Sequence, residues 1–415
     1  MLDPYWGEFL VSPYPLELSL NSCSHGCSYC FANLNDTLDT EDPIRTLRLL
    51  ADYPNRKTLA ARLLQDGYPV LVSNRMDPFS RSNCQQIIPI LRIMTEAGIP
   101  VTIQTKGGYG EDETLDFLPP SVWYVSLSML DDTLRERIEP GAPSVQHRLD
   151  LMSRLADKGH IVLWGYNPMV PEWYPEPEPL VDAVVDAGAM GVWMELLHLN
   201  IRQRRNMSEW RKEALTQPIM KRAYKRDVDA DMWDAIWRVY DAVEERELPW
   251  FSLHSPLPSD YPALERALYE KTFPMSQDFV NWCYANKDDG DLVSLGEWLG
   301  AVGQGLPDGS LKLQHYLGAT AYQVFWTHKI PNDLTYHDLL KIMWADPRTP
   351  QCPARVRCFA FAGSPDAPEL DDAGMPLLRF DRTWFDTLFE QGDAGTDWRW
   401  KAQPVGALVE NTREG

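Results

Sequence analysis

Cys23, Cys27 and Cys30 are the residues of this 415-residue chain whose type and spacing point most directly to chemistry. They lie in Leu16-Glu-Leu-Ser-Leu-Asn-Ser-Cys23-Ser-His-Gly-Cys27-Ser-Tyr-Cys30-Phe-Ala-Asn33, a Cys-x3-Cys-x2-Cys arrangement. Thiolates this close together can wrap one edge of an iron–sulfur cluster. Three thiolates on a cubane leave one iron without a protein ligand, and a substrate or cosubstrate can occupy that position. A zinc site completed by a distant fourth ligand would use the same residue type. A strand-like run before the loop and Tyr29 within it favour the cluster.

Such a loop needs a scaffold. Leu16–Leu20 alternates as a strand, and further strands are expected at 69–74, 100–106, 122–128, 160–165 and 191–199. Helical patterning fills the intervals: 43–66 with a break near Asp52-Tyr53-Pro54, then Gln85–Ala97, Pro143–Lys158 and Leu180–Ala187. This spacing suits right-handed βαβ crossovers and a parallel sheet. Six such units predict an α/β fold with a partial (β/α)6 TIM-like barrel, whose chemistry belongs at the C-terminal strand ends. A long helix is expected at Asp227–Glu247 and a short edge strand at Trp250–His254. Residues 1–255 are read as the barrel domain and 256–415 as a mostly helical C-terminal region, with 363–376 a loop.

The expected strand ends carry polar residues. Asn74-Arg-Met-Asp77-Pro78 follows the second strand, Thr105-Lys106 ends the third, and Ser126-Leu-Ser128 ends the fourth. Glu139-Pro-Gly141 reads as a turn, and Arg148 is placed to pair with Glu139 and hold it. Asn167-Pro168 follows the fifth strand. A cation closing an apolar strand, such as Lys106, suits a carboxylate. Ser126 and Ser128 share a face and can donate to oxygens. Asp77 can accept from an amine or shape an Asp-Pro turn.

The Cys loop resembles the signature of the radical S-adenosylmethionine (SAM) superfamily. The strand-end blocks, over about residues 15–200, look like its spore photoproduct lyase-like, "DNA repair photolyase" group. The resemblance implies a [4Fe-4S] cluster on Cys23, Cys27 and Cys30, with SAM chelating the open iron. It implies reductive cleavage of SAM to a 5′-deoxyadenosyl radical that abstracts hydrogen from a substrate, and an electron donor such as flavodoxin or ferredoxin. Tyr29, Asp77, Lys106, Ser126 and Ser128 are then the expected SAM contacts. One departure stands out. The lyase has a Cys near the end of its second strand, but Val72–Asp77 holds none here; the nearest thiol is Cys84. Phe31 also replaces the lyase's Tyr. These differences count against thymine-dimer repair.

The formal net charge is −21, which favours solubility and repels polyanions at long range. Residues 202–226 run against it, with nine cations (Arg202, Arg204, Arg205, Arg211, Lys212, Lys221, Arg222, Lys225, Arg226) against Glu209 and Glu213. With Trp210 and Tyr224 interleaved, this segment suits a nucleic acid or nucleotide substrate; a solvated helix paired with acidic neighbours is the alternative. A nucleobase is the first substrate reading, a peptide or protein the second, and a non-catalytic iron–sulfur or zinc protein the rival from another class. Cys283, Cys352 and Cys358 are read as buried thiols, with a second metal site completed by His315, His328 or His337 as the alternative. His25 is expected to position the loop and His198 to face the site. No signal peptide or membrane span is expected, and a reducing cytoplasm suits the thiols.

Overall fold

In the computed structural model of the chain, the described residues are 2–4, 13–18, 20, 23–30, 32, 34, 43–72, 76–225, 230–252, 263–273, 275–302, 341, 344, 356, 358–364 and 367–384. The chain divides into two compact units. One comprises Met1–Asp3, Leu16–Leu253 and Asp260–Thr272; the other comprises Pro4–Pro15, His254–Ser259 and Phe273–Gly415.

The first unit is built on one eight-stranded sheet whose strands follow in chain order: β1 Leu2–Pro4, β2 Leu16–Leu18, β3 Val70–Val72, β4 Val101–Thr105, β5 Val122–Ser126, β6 Ile161–Met169, β7 Gly191–Leu196 and β8 Trp250–Ser252. Every pairing from β2 to β8 is parallel. All six expected strands and the edge strand are present. Helices fill the crossovers: α1 Pro43–Asp52, α2 Leu59–Gln65, α3 Cys84–Glu96, α4 Glu111–Leu115, α5 Asp132–Ile138, α6 Val145–Asp157 and α7 Glu178–Asp186. The expected break in 43–66 is a 3-10 turn at Tyr53–Asn55. After β7 come α8 Ile201–Asn206, α9 Glu209–Leu215, α10 Gln217–Lys225 and α11 Ala230–Glu244, and α12 Ala263–Leu268 follows β8. Local caps fix several starts. Asp131 accepts from Thr133 N, Ser144 from His147 N, and Asn200 forms a reciprocal box with Gln203.

Side chains in register share a face of the sheet. Val70, Val101, Ile103, Val122, Trp123, Val125, Val162 and Val192 are buried in the core of this unit. The barrel end away from the Cys loop is sealed by the stretch around α12. Tyr269 Oη accepts from Thr102 Oγ1 and Val122 N, both at 2.9 Å, and donates to Val101 O at 2.7 Å. The Tyr124 hydroxyl donates to the buried Glu265 carboxylate.

The second unit contains α13 Ser276–Asn286, β9 Leu292–Val293 and α14 Leu295–Val302, then β10 Phe359–Phe361, β11 Gly363–Ser364, β12 Ala367–Pro368 and β13 Leu378–Phe380. In the antiparallel sheet β10-β13-β9, Phe359 packs between Phe380 and Phe279, and Phe279 meets Trp298. The helical reading of this region passes over these strands because each is two or three residues long. The expected loop at 363–376 instead contains the β11–β12 hairpin and the Leu370–Pro376 bridge. Asp371 closes its tight turn by accepting from Ala373 N and Met375 N.

Candidate functional site at the strand C-termini

The Cys loop follows β2 and is held from several directions. Ser28 N donates to Ile138 O at 2.8 Å and Gly141 N to His25 O at 2.8 Å, so the turn after α5 grips the loop through backbone. On the other side Ser82 N donates to Ser24 Oγ at 3.3 Å. Gln203 Nε2 donates to Tyr29 O at 3.2 Å and Asn206 Nδ2 to Leu34 O at 2.8 Å, tying α8 to the same stretch. Gly26, at φ +66°, takes the left-handed conformation between the first two thiols. Cys27 is buried, and Cys23 and Cys30 are partly exposed; none of the three is in a disulfide. Burial, and then Asp77, push the Cys23 thiol up to about 11, and burial holds Cys27 well above its ordinary value. Metal binding must displace these protons.

Lys106 closes β4 as expected. Its ammonium donates to Ser126 Oγ at 2.6 Å, stands 3.5 Å from Glu139 Oε1, and lies 5.7 Å from the centre of the Tyr29 ring. Ser126 Oγ in turn donates to Asn167 O at 3.0 Å, and Asn167 Nδ2 donates to Glu195 Oε2 at 3.0 Å. Ser126, Gly165 and Trp193 are register partners on adjacent strands, so these groups share the inner face. Ser128 Oγ is buried with no hydrogen-bond partner among the described residues.

Glu139 is the electrostatic hub. It is fully buried, accepts from Arg148 Nη2 at 2.5 Å, and also accepts from the Tyr29 hydroxyl. Burial alone would raise its carboxyl, but Arg148 and then Lys106 hold it at about 2. Arg148 also donates to Ser126 O at 3.1 Å and Pro143 O at 3.2 Å, which fixes the turn in the expected way.

Asp77, expected at the SAM amino group, directs both oxygens inward. Oδ1 accepts from Phe79 N at 3.0 Å and Thr105 Oγ1 at 2.8 Å. Oδ2 accepts from Lys106 N at 2.5 Å and pairs with His25 Nε2 at 3.3 Å. Burial raises this carboxyl, but His25 and these donors outweigh it and hold it below the ordinary carboxylate range. With both oxygens so used and its side chain 8% exposed, Asp77 organises the strand ends. Asn74 lies outside the described residues.

Of the residues expected at the site, the structure brings Cys23, Cys27, Cys30, Tyr29, Asp77, Lys106 and Ser126 into one connected network. His198 lies beside it on an exposed turn, 3.6 Å from Glu195. Glu195 was missed, although a lone carboxylate inside the apolar run Gly191–Leu196 was a visible signal. Gln203 and Asn206 were missed because nothing local in α8 marks a long-range contact. Cys84 is the first residue of α3, with Sγ 3.8 Å from Arg81 O. Cys283 and Cys358 are buried, and burial pushes the Cys283 thiol up to about 12. Cys352, His315, His328 and His337 lie outside the described residues. Among the described residues no three His, Cys, Asp or Glu side chains converge on a single metal ion.

The basic segment forms α8–α10. Its apolar side, with Leu199, Met207, Leu215, Ile219 and Ala223, joins a core that also holds Leu34, Ile138 and Trp173, with Tyr29 packed against it. Arg222 is neutralised by a two-pronged pair with Glu172 at 2.5 Å, and Lys212 pairs with Glu209 at 2.7 Å. Arg202, Arg204 and Arg205 are exposed. Arg204 lies over the Tyr224 ring at 5.0 Å and Arg211 over Trp210 at 5.0 Å, and both rings are more than a third exposed. Lys225 and Arg226 fall outside the side chains described.

Residues 19–183 match the family model described as the radical SAM superfamily. The chain is 27% identical over 209 residues to the "Uncharacterized protein Rv2578c" of Mycobacterium tuberculosis (strain ATCC 25618 / H37Rv), covering 45% of this chain and 60% of that one. The "Uncharacterized protein Mb2609c" of Mycobacterium bovis matches to the same extent. The chain thus spans about 60% of the length of these curated relatives. Among solved structures, spore photoproduct lyase complexed with dinucleoside spore photoproduct aligns at TM-score 0.44 and 12% identity, over 58% of this chain and 76% of that one. Streptococcus suis SuiB bound to precursor peptide SuiA aligns at 0.38 and 20%, over 59% and 50%.

The matched family model implies SAM and an iron–sulfur cluster. The residues fit that requirement. Three thiols outside any disulfide share one short loop, a buried cation network stands beside it, and Ser128 offers a hydroxyl without a partner among the described residues. No helix among the described residues is long and apolar enough to cross a membrane.

Proposed function

We propose that this chain, which carries a radical SAM domain over residues 19–183, is an enzyme that uses a [4Fe-4S] cluster to cleave SAM reductively and act on a nucleobase, free or in nucleic acid. When bound, the cluster and SAM supply a 5′-deoxyadenosyl radical that takes a hydrogen atom from the substrate. Cys23, Cys27 and Cys30 would hold the cluster, with a donor such as flavodoxin or ferredoxin supplying the electron. Lys106 offers a cation for the SAM carboxylate, and Ser126 and Ser128 offer hydroxyls on the same side. Tyr29 is fixed by Glu139, and Asp77 acts indirectly by holding the Lys106 backbone. The burial of Cys27, Glu139 and Arg148 keeps water from the base of the loop.

The observation that carries this reading is the meeting of the Cys loop with Lys106 and Ser126 at one set of strand ends. The test is anaerobic reconstitution, then dithionite and SAM, with 5′-deoxyadenosine and methionine measured by chromatography. Wild type should form both; Cys27→Ala should form neither. A fully loaded wild-type cluster that leaves SAM intact would sink the enzyme reading and favour a non-catalytic metal protein.

The nucleobase substrate rests on the exposed Arg202, Arg204 and Arg205 with Tyr224, on helices tied by Gln203 to the Tyr29 backbone. Binding of single-stranded oligonucleotides should weaken as salt rises, with a log–log slope near −0.7 per neutralised phosphate. Neutralising the three arginines together should abolish that slope. Absence of binding at low salt, with capture of a peptide instead, would replace the nucleobase by a peptide or protein substrate.

A further inference from the structure

His25 stands between Cys23 and Cys27 and is 2% exposed. Its Nδ1 is 3.0 Å from Gly141 O and its Nε2 is 3.3 Å from Asp77 Oδ2; the second contact is a close approach outside hydrogen-bond geometry. Its own carbonyl accepts from Gly141 N. Two glycines permit this enclosure. A Cβ on Gly141 would sit 2.5 Å from Ser24 O and 2.9 Å from His25 O, both backbone atoms. A Cβ on Gly108 would sit 2.3 Å from Phe79 O and 3.6 Å from His25 Cε1. Asp77 is itself fixed by Phe79 N, Thr105 and Lys106 N. One imidazole therefore joins the Cys loop to the segment after β3 and to the turn after α5.

We propose that His25 is a positioning residue that sets the path of the Cys23–Cys27 loop in the cluster-free protein, so that its thiols meet an incoming cluster already arranged. This rests on reading the three thiols as cluster ligands. The physical basis is preorganisation. A loop ordered beforehand loses less conformational freedom on binding than one that must be ordered by the ligand. The imidazole is suited to the task because it reaches Gly141 and Asp77 at once, from opposite edges of a rigid ring.

The test compares His25→Phe, which fills the space without a donor, with His25→Gln, which keeps one. In the cluster-free protein, iodoacetamide alkylation of Cys23 and Cys30 is followed by mass spectrometry, with buried Cys283 as an internal control. His25→Phe should speed alkylation of the loop thiols roughly tenfold, as local opening becomes easier, and leave Cys283 unchanged. His25→Gln should fall between it and wild type. After reconstitution, His25→Phe should hold less iron per chain and show an altered electron paramagnetic resonance signal, again partly rescued in His25→Gln. Wild-type alkylation and iron content in His25→Phe would overturn the proposal, as would a parallel rise at Cys283, which marks general destabilisation. If wild type itself takes up no cluster, the ligand reading fails, while the alkylation rates still report on the loop.

Discussion

Replacing Arg148 by Met should be among the most destabilising single changes in the first unit. Arg148 is 1% exposed and Glu139 is 0% exposed, so neither can turn to water. The substitution removes the 2.5 Å bond to Glu139 and the donors to Ser126 O and Pro143 O. Glu139 sits at about 2, against an ordinary value of 4.5. At about 1.4 kcal/mol per pH unit, the net of burial and partners favours the ionised form by about 3 kcal/mol. Lys106 remains after the change, but two carbonyls lose a donor. A loss of about 4 kcal/mol follows, within the range for breaking one side of a buried pair. For a unit of this size that lowers the unfolding midpoint by about 10 °C. The assay is urea and thermal unfolding of the cluster-free protein at neutral pH, with Glu139→Gln and the double variant completing a cycle. The double variant should lose less than the sum of the singles by about 2 kcal/mol. Because the folded pKa of Glu139 lies below its unfolded value, its contribution is present above pH 4.5 and is lost as pH falls toward 2. The gap between wild type and Arg148→Met should therefore narrow over that window. A shift of under about 1 kcal/mol, or strict additivity, would refute the assignment of Glu139–Arg148 as the electrostatic hub.

Other expectations follow from single contacts. Tyr269→Phe removes a hydroxyl that serves Thr102, Val122 and Val101 in the sealed barrel end, and urea unfolding should show a loss of about 2–3 kcal/mol. Gly141→Ala should push a methyl into Ser24 O at 2.5 Å and His25 O at 2.9 Å, cost about 1–3 kcal/mol by overpacking, and reduce iron uptake. Gly300→Ala in α14 meets nothing within 4 Å, so it should stabilise the second unit by about 0.5–1 kcal/mol in the same unfolding assay. His160 is pulled down to about 4 by burial and then by Lys158. Its stabilising share is complete above pH 6.5 and is lost as pH falls through 4. Unfolding near pH 5 should take up about one proton at this site, and His160→Gln should remove that part of the urea-midpoint slope.

The fold was legible where physics acts locally. Val70–Val72 and Val122–Ser126 are apolar, β-rich runs bounded by turn residues, and the intervals between strands have the length of a helix and two loops. Asp131 and Ser144 announce helix starts by residue type alone. The second unit resisted because its strands are two or three residues long and are stabilised by Phe279, Phe359 and Phe380 packing across large sequence separations. No periodicity in so short a segment separates strand from loop. The plug around α12 was hidden for the same reason, since Tyr269 is 168 residues from the Val101 carbonyl it meets.

The site shows a sharper division. Residue type and spacing single out the thiols, Lys106 and Ser126, and the structure gathers them at neighbouring strand ends. They reveal a polar partner where it lies close in sequence, as Arg148 does to Glu139, and miss the distant ones. Asp77 looks from sequence like a ligand for an amine, yet four groups of the protein already surround its oxygens. His25, expected to position the loop, does so through Gly141 and Asp77, which the sequence does not name. Glu139 looks like a turn former, yet it gathers Arg148, Lys106 and Tyr29. In each case an ionisable group is buried, and such a group is tolerated only with partners. Those partners come from strand ends, from the Cys loop and from α6, so the pairing is a property of the folded unit. The groups left with capacity at the strand ends are the ones a cosubstrate can use. Ser128 holds an unpartnered hydroxyl among the described residues, and the Lys106 ammonium retains 14% side-chain exposure. That separates the network into residues that hold the loop and residues that can bind, and Arg148→Met, His25→Phe and Cys27→Ala probe its different layers.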